Sequence, residues 1–175
     1  MSSVVETKVF NRNDKLVEGW YWAVRSSSLK IGKTKALRFL GKDLVLYRGV
    51  NGEVVALDAF CPHMGAHLAE GTVEGNEIRC LFHRWKFNSL GSCTEIPCET
   101  SCSHVRKLKA WPVQEQYGLV WIWIGTTPTQ RIPYVPELAD SPFECILGKA
   151  FTKDCHPNVV KIGRASCRER VSSPV

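Results

Sequence analysis

The chain has 175 residues, 44% of them hydrophobic, a formal net charge of +6 and eight cysteines; that is room for one packed domain and the beginning of another, and it excludes a disordered chain. No apolar run nears the roughly 20 residues that span a bilayer, and MSSVVETKVFNRNDK lacks the apolar stretch of a secretory leader, so a soluble cytoplasmic protein with reduced thiols is expected. The basic residues are scattered, with no block that tracks a phosphate backbone, which excludes nucleic acid as the expected partner.

In chain order, β character recurs at short intervals: ALRFL at 36–40, LVLYR at 44–48, EVVALDA at 53–59, EIRC at 77–80, WKFN at 85–88 and LVWIWIG at 119–125. Asn51-Gly52 is the strongest hairpin signal, since both residues tolerate the positive φ of a two-residue turn, and Gly41-Lys42-Asp43 reads as another turn. Few windows carry a 3.6-residue apolar period, so residues 1–125 are expected to form a mostly β, antiparallel domain ending on LVWIWIG. Trp111, Trp121 and Trp123 read as core aromatics of its final strands. Residues 126–142 hold four prolines and read as a linker. A strand-like stretch at 143–153 follows, so 126–161 is expected to be linker plus the beginning of a second domain. Residues 162–171 read IGRASCRERV, which one frame of a common sequencing adapter encodes, so 162–175 are expected to be an artefact. They contribute +2 to the formal charge through Arg164, Arg168 and Arg170 against Glu169, and they carry Cys167.

The informative stretch is CPHMGAHLAEGTVEGNEIRCLFHRW: Cys61-x-His63, sixteen residues, then Cys80-x2-His83. Each loop offers one thiol and one imidazole. A 2Fe-2S rhomb of the Rieske kind needs two thiolates on one iron and two imidazoles on the other. With two thiolates the oxidised centre is neutral, whereas four would leave it doubly negative, so an electron enters more easily. The potential rises from about −400 mV for a four-thiolate ferredoxin to roughly −150 to +300 mV. A structural zinc site is the alternative, but zinc modules pair Cys with Cys and His with His, whereas both pairs here are mixed. Pro62, Gly65 and Gly71 suit loops that bend around a metal group.

The segments CPHMGAHL, CLFHRWKFNSLGSC and KAWPVQEQYGLVWIWIG, with GWYWAV at 19–24 as an opening strand, resemble the terminal component of the Rieske non-haem iron oxygenases. The resemblance runs from Gly19 to Gly125 and more loosely to Lys161. CPHMGAHLAEG and GSCTEIP are most similar to the branch acting on sterols and ketosteroids. It implies a Rieske-type β domain whose two loops bind one 2Fe-2S cluster through Cys61, His63, Cys80 and His83, followed by the start of a truncated α+β catalytic domain. It further implies an oxidoreductase, a monooxygenase or dioxygenase. Its partners would be a ferredoxin or an NAD(P)H-dependent reductase, a hydrophobic small-molecule substrate and, at full length, further copies of itself. Where respiratory Rieske proteins carry two extra cysteines and a serine, this chain has Ala66, Phe82 and Trp85, which implies a low potential.

The resemblance also implies a mononuclear iron held by an Asp/Asn-x2-His-x4-His segment, which this chain lacks: His156 is followed by PNVVK. Non-haem Fe(II) is therefore expected only in a missing second domain, and the chain alone should not turn over substrate. A stand-alone Rieske ferredoxin is the competing function, although such a carrier should end soon after LVWIWIG. His67 is expected to lie on the surface or behind the ligands instead of binding metal, and His104 and His156 are expected to be structural. Cys93, Cys98 and Cys102 lack a fourth ligand at metal-site spacing.

Overall fold

The computed structural model describes residues 17–97, 99–102 and 105–136. Cys98, His104, His156, the strand-like stretch at 143–153 and the adapter-like residues 162–175 lie outside the described residues. The described part is antiparallel β structure in three sheets, with two 3-10 turns. In the first sheet, β1 (Gly19–Arg25) pairs with the last strand, Leu119–Ile124, which also pairs with Val113–Gln116. The second sheet runs β2 (Thr34–Phe39), β3 (Lys42–Arg48), β4 (Val54–Asp58), then Ala110–Trp111. The third runs β5 (Thr72–Glu74), β6 (Glu77–Arg79), β7 (Lys86–Phe87) and β8 (Cys93–Glu95). The remaining strands are, in chain order, β9 (Ala110–Trp111), β10 (Val113–Gln116) and β11 (Leu119–Ile124). No helix among the described residues is long and apolar enough to cross a membrane.

The strand β3 shows why the sheets stack. Side chains alternate along a strand, and here both faces are buried. Leu44 and Leu46 enter one core with Phe39, Ala56, Trp111, Ile122 and Ile124. Val45 and Tyr47 enter a second core with Leu57, Leu68, Ile78 and Phe87, and that core also contains Cys61 and Cys80. Trp111 and Trp123 are buried as expected, while Trp121 is half-exposed. The third sheet is thus clamped to the second by the core that holds the two cysteines.

The six stretches read as strands between 36 and 125 are present, as is the opening strand at 19–24. β5, β8, β9 and β10 are additional; they are two to four residues long, too short for alternation to register, and β10 reads VQEQ, three of its four residues polar. The turns differ from expectation. The β2–β3 register pairs Phe39 with Lys42, leaving a two-residue turn at Leu40-Gly41, with φ of 48° and 78°. Lys42 and Asp43 belong to β3. Between β3 and β4 the register pairs Arg48 with Val54, so the loop is five residues, 49–53, and Asn51-Gly52 is not a two-residue turn. Only Gly52 of that pair takes positive φ, at 85°. Asn51 instead uses its side chain: Oδ1 accepts from the Glu53 N–H at 3.1 Å, and its own N–H donates to Asn76 Oδ1 at 3.1 Å.

The proline-containing residues 126–136 form no strand but lie against the domain. Trp20 Nε1 donates to the Gln130 carbonyl at 2.7 Å, the Val135 N–H donates to the Tyr117 hydroxyl at 2.8 Å, and Ile132 is buried.

The turn assignment is testable. Gly41→Val should lower stability by about 1–2 kcal/mol, because a β-branched residue resists the left-handed conformation, whereas Leu40→Gly should be neutral or stabilising. Urea unfolding measures both, and a neutral Gly41→Val would place the turn elsewhere.

Candidate metal centre

Two six-residue segments, 61–66 after β4 and 80–85 between β6 and β7, carry the candidate ligands. Each is closed by the same bond. The Cys61 N–H donates to the Ala66 carbonyl at 2.9 Å and the Cys80 N–H donates to the Trp85 carbonyl at 2.8 Å. The two cysteines therefore start equivalent loops, although the histidine follows two residues later in one and three in the other.

The loops converge like with like. Cys61 and Cys80 are buried, 4% and 2% exposed, with their thiols in hydrogen-bonding reach of each other. His63 and His83 are exposed, with ring centroids 4.4 Å apart at 65°. Among the described residues, no three His, Cys, Asp or Glu side chains gather around one point. Burial pushes the Cys61 thiol up to about 11 and the neighbouring Cys80 adds to this; the N–H groups of His63 and Met64, directed at the sulphur, pull it down. Such donors favour sulphur in its negative form, the form a metal ligand takes.

Around this centre stand residues whose importance the sequence does not advertise. Trp85 lies flat on His63, centroids 4.4 Å apart and 6° from parallel, and Phe82 packs on His83 at 4.0 Å and 41°. Arg79, one residue before Cys80, is a buried guanidinium. Its Nε donates to Glu74 Oε1 at 2.8 Å, its two terminal nitrogens grip Glu95 at 3.0 and 2.8 Å, and Nη1 also donates to the Arg84 carbonyl at 2.7 Å. It therefore ties β5 and β8 to the second loop, where Arg84 is held at φ 64°. The signal available was a charged residue inside EIRC, between Glu74 and Glu95. Gly71 has a distinct reason to be glycine: a Cβ there would run into the Arg79 carbonyl.

The other candidates fall into place separately. His67 starts a 3-10 turn over Leu68–Glu70, its Nδ1 accepting from the Ala69 N–H at 3.1 Å, and its ring meets Phe60 edge to face. Cys93 lies beside Cys102, and burial, followed by that neighbour, pushes its thiol up to about 12.

Two buried thiols and two exposed imidazoles, delivered by matched loops of a small antiparallel β domain, offer a mixed set of sulphur and nitrogen donors. Comparison with known proteins makes this particular: the chain belongs to the family described as "Rieske [2Fe-2S] domain", which residues 19–113 match. Among its relatives are non-haem iron oxygenases. It is 39% identical over 126 residues to cholesterol 7-desaturase nvd of Bombyx mori, covering 70% of this chain and 28% of the relative. It is 29% identical over 178 residues to the oxygenase component of 3-ketosteroid-9-alpha-monooxygenase of Rhodococcus rhodochrous, covering 100% of this chain and 45% of the relative. The solved structure of dicamba monooxygenase with non-heme iron and dicamba superimposes with a TM-score of 0.61 at 30% identity, covering 66% of this chain and 36% of that one. The chain thus spans less than half the length of these relatives.

The Arg79 clamp predicts an acid dependence. Hydrogen bonding from Arg79, then from Lys86, holds the Glu95 carboxyl at about 2 against an ordinary 4.5. A carboxyl depressed by folding binds fewer protons in the native state, so its contribution is complete above about 4.5 and lost as pH falls towards 2. The difference in melting temperature between the native sequence and Glu95→Gln should therefore shrink from neutral pH to about pH 3. A constant difference would show that the contribution is not ionic.

Proposed function

We propose that Cys61, His63, Cys80 and His83 hold the 2Fe-2S cluster, thiols on the buried side and imidazoles on the solvent side, and that the chain is the electron-relay part of a non-haem iron oxygenase. The observation that carries this is the like-with-like pairing, thiol beside thiol and imidazole beside imidazole, from loops closed by identical bonds. Four donors sorted into two kinds suit a two-metal group with one kind on each metal better than a single tetrahedral ion. When bound there, the cluster supplies a centre that takes up and releases one electron at a time.

The rest is work for this chain's own side chains. Cys61 and Cys80 sit within the second core, which keeps water from the sulphur side. The His63 and Met64 N–H groups offer hydrogen bonds to the first sulphur. Trp85 and Phe82 fix the planes of the two imidazoles. Met64, Leu81 and Phe82, all more than half exposed, rim the imidazoles with apolar surface suited to a dry contact. Ala66, Phe82 and Trp85 bring no thiol or hydroxyl donor, which favours a potential at the low end of the Rieske range.

In this reading electrons originate in NAD(P)H, arrive through a reductase and ferredoxin, and leave past His63 or His83 for a mononuclear iron outside the described residues. The solved structure of dicamba monooxygenase with non-heme iron and dicamba supports that destination. The match to the ketosteroid monooxygenase covers the whole chain, which supports a part of an oxygenase over a free carrier. The names of that relative and of the cholesterol desaturase support a bulky, hydrophobic, sterol-like substrate. The full-length protein is proposed to be a cytoplasmic homo-oligomer.

Purified anaerobically with iron and sulphide, the protein should be red-brown and, once reduced, give the rhombic EPR signal of a mixed Cys/His cluster. A colourless protein with one equivalent of zinc would overturn the reading. His83→Cys should retain cluster poorly and, in whatever fraction loads, lower the potential, since a third thiolate adds negative charge. Supplied with NAD(P)H, reductase and ferredoxin, the 175-residue chain should bleach without forming product; substrate-dependent product would mean that it holds an iron site of its own.

A further inference from the structure

A groove of about 840 Å³ opens beside the first loop, with Phe60, Pro62 and Leu90 as its apolar surface and Lys42, Arg106, Lys107 and Lys109 as its charged surface. Pro62 lies between Cys61 and His63, so the groove reaches the backbone of the loop proposed to hold the cluster. The cations outweigh the acids. Asp43 is committed to Arg38 at 3.0 Å, and Asp58 accepts from Trp111 Nε1 at 2.9 Å. Arg106 and Lys107 form no ion pair with another described residue. Lys109 and Lys42 are held over the Trp111 ring, with Nζ at 3.8 and 5.8 Å from its centroid, which fixes two of the charges in place.

We propose that this groove is the docking face for an acidic one-electron carrier protein, which passes its electron in beside Pro62. The proposal rests on the relay reading above and adds to it the place of electron entry. A carrier whose redox centre is set in apolar surface ringed by carboxylates complements the groove in both respects. The cations accelerate encounter over distances of about a Debye length, and Phe60, Pro62 and Leu90, about half-exposed or more in the case of Phe60 and Leu90, give a small dry contact that forms and breaks quickly. A nucleic acid fits less well, because the four cations surround a pocket instead of tracking a strand.

The test uses the cluster-loaded 175-residue chain and a reduced acidic plant-type ferredoxin, mixed in stopped flow across a range of salt. Equilibrium binding of the oxidised ferredoxin is measured by calorimetry in parallel. Arg106→Glu with Lys107→Glu, and separately Lys42→Glu on β3, should each lower the second-order rate about tenfold or more at low salt, flatten its salt dependence and weaken binding. Reduction by photoreduced deazaflavin and the cluster potential should stay as in the native sequence. The same charge change at Lys33, outside the groove, should leave the ferredoxin rate within about twofold, which separates a docking face from net charge. Native rates and binding in both groove variants would overturn the docking proposal while leaving the relay reading intact. So would micromolar binding of an RNA oligonucleotide that the groove variants abolish without slowing ferredoxin. If neither deazaflavin nor ferredoxin reduces the native chain, the relay reading itself fails and the docking face with it.

Discussion

A buried positive charge next to a buried thiol is the constraint around which the metal end of this domain is organised. Arg79 has to satisfy its guanidinium inside the protein, because an unpaired buried charge costs several kcal/mol. It does so through two carboxylates and one carbonyl, taken from β5, β8 and the second loop. Arg84, whose carbonyl it takes, is in a left-handed conformation, and at the next residue the Trp85 carbonyl meets the Cys80 N–H. One side chain thus sets the path of the loop that places Cys80 and His83. Glu95 and Glu74 remain partly exposed, so each pair alone is weak; the strength lies in three partners converging on one rigid fork.

This local device is useful only because it is anchored. The third sheet is built of strands of two or three residues, which could not persist alone. It is held by Ile78 and Phe87 entering the core with Val45, Tyr47 and Leu57. The same β3 that supplies Val45 and Tyr47 supplies Leu44 and Leu46 to the opposite core. Packing against β1 and β11 therefore supports the cysteines through a single strand buried on both faces. The scaffold is rigid where the thiols sit and open where the imidazoles emerge.

How much of this was legible in the sequence depends on whether a feature is dictated by chemistry within a few residues or by partners that only folding brings together. The ligand candidates were legible because few purposes call for a thiol and an imidazole in each of two short segments. So were β3 and β11, whose apolar runs are long enough to pattern. The turns were legible in kind and mistaken in place: Asn51-Gly52 has the composition of a tight turn, but Asn76 and Glu53 offer Asn51 hydrogen bonds that favour a wider loop. The tight turn fell on Leu40-Gly41, where a leucine accepts positive φ because the pairing of Phe39 with Lys42 demands it. The contacts of Arg79 and Trp85 were not legible. Neither type is unusual in a strand or loop, and their roles come from residues up to 22 positions away, as with Trp85 on His63.

The distribution of surface chemistry about the centre gives the proposed relay a direction. A domain that both receives and delivers electrons must meet two partners, and one interface serving both would force them to compete. Here the two surfaces near the loops differ in kind. The imidazole rim of Met64, Leu81 and Phe82 is apolar, suited to a contact that stays formed. The groove beside Pro62 is cationic over a small apolar patch, suited to a contact made quickly and broken easily. The first loop touches both, since Pro62 faces the groove and His63 faces its imidazole partner. An electron entering at one end of Cys61-Pro62-His63 and leaving at the other would cross the centre itself, so that the carrier could depart while the long-lived contact stayed closed.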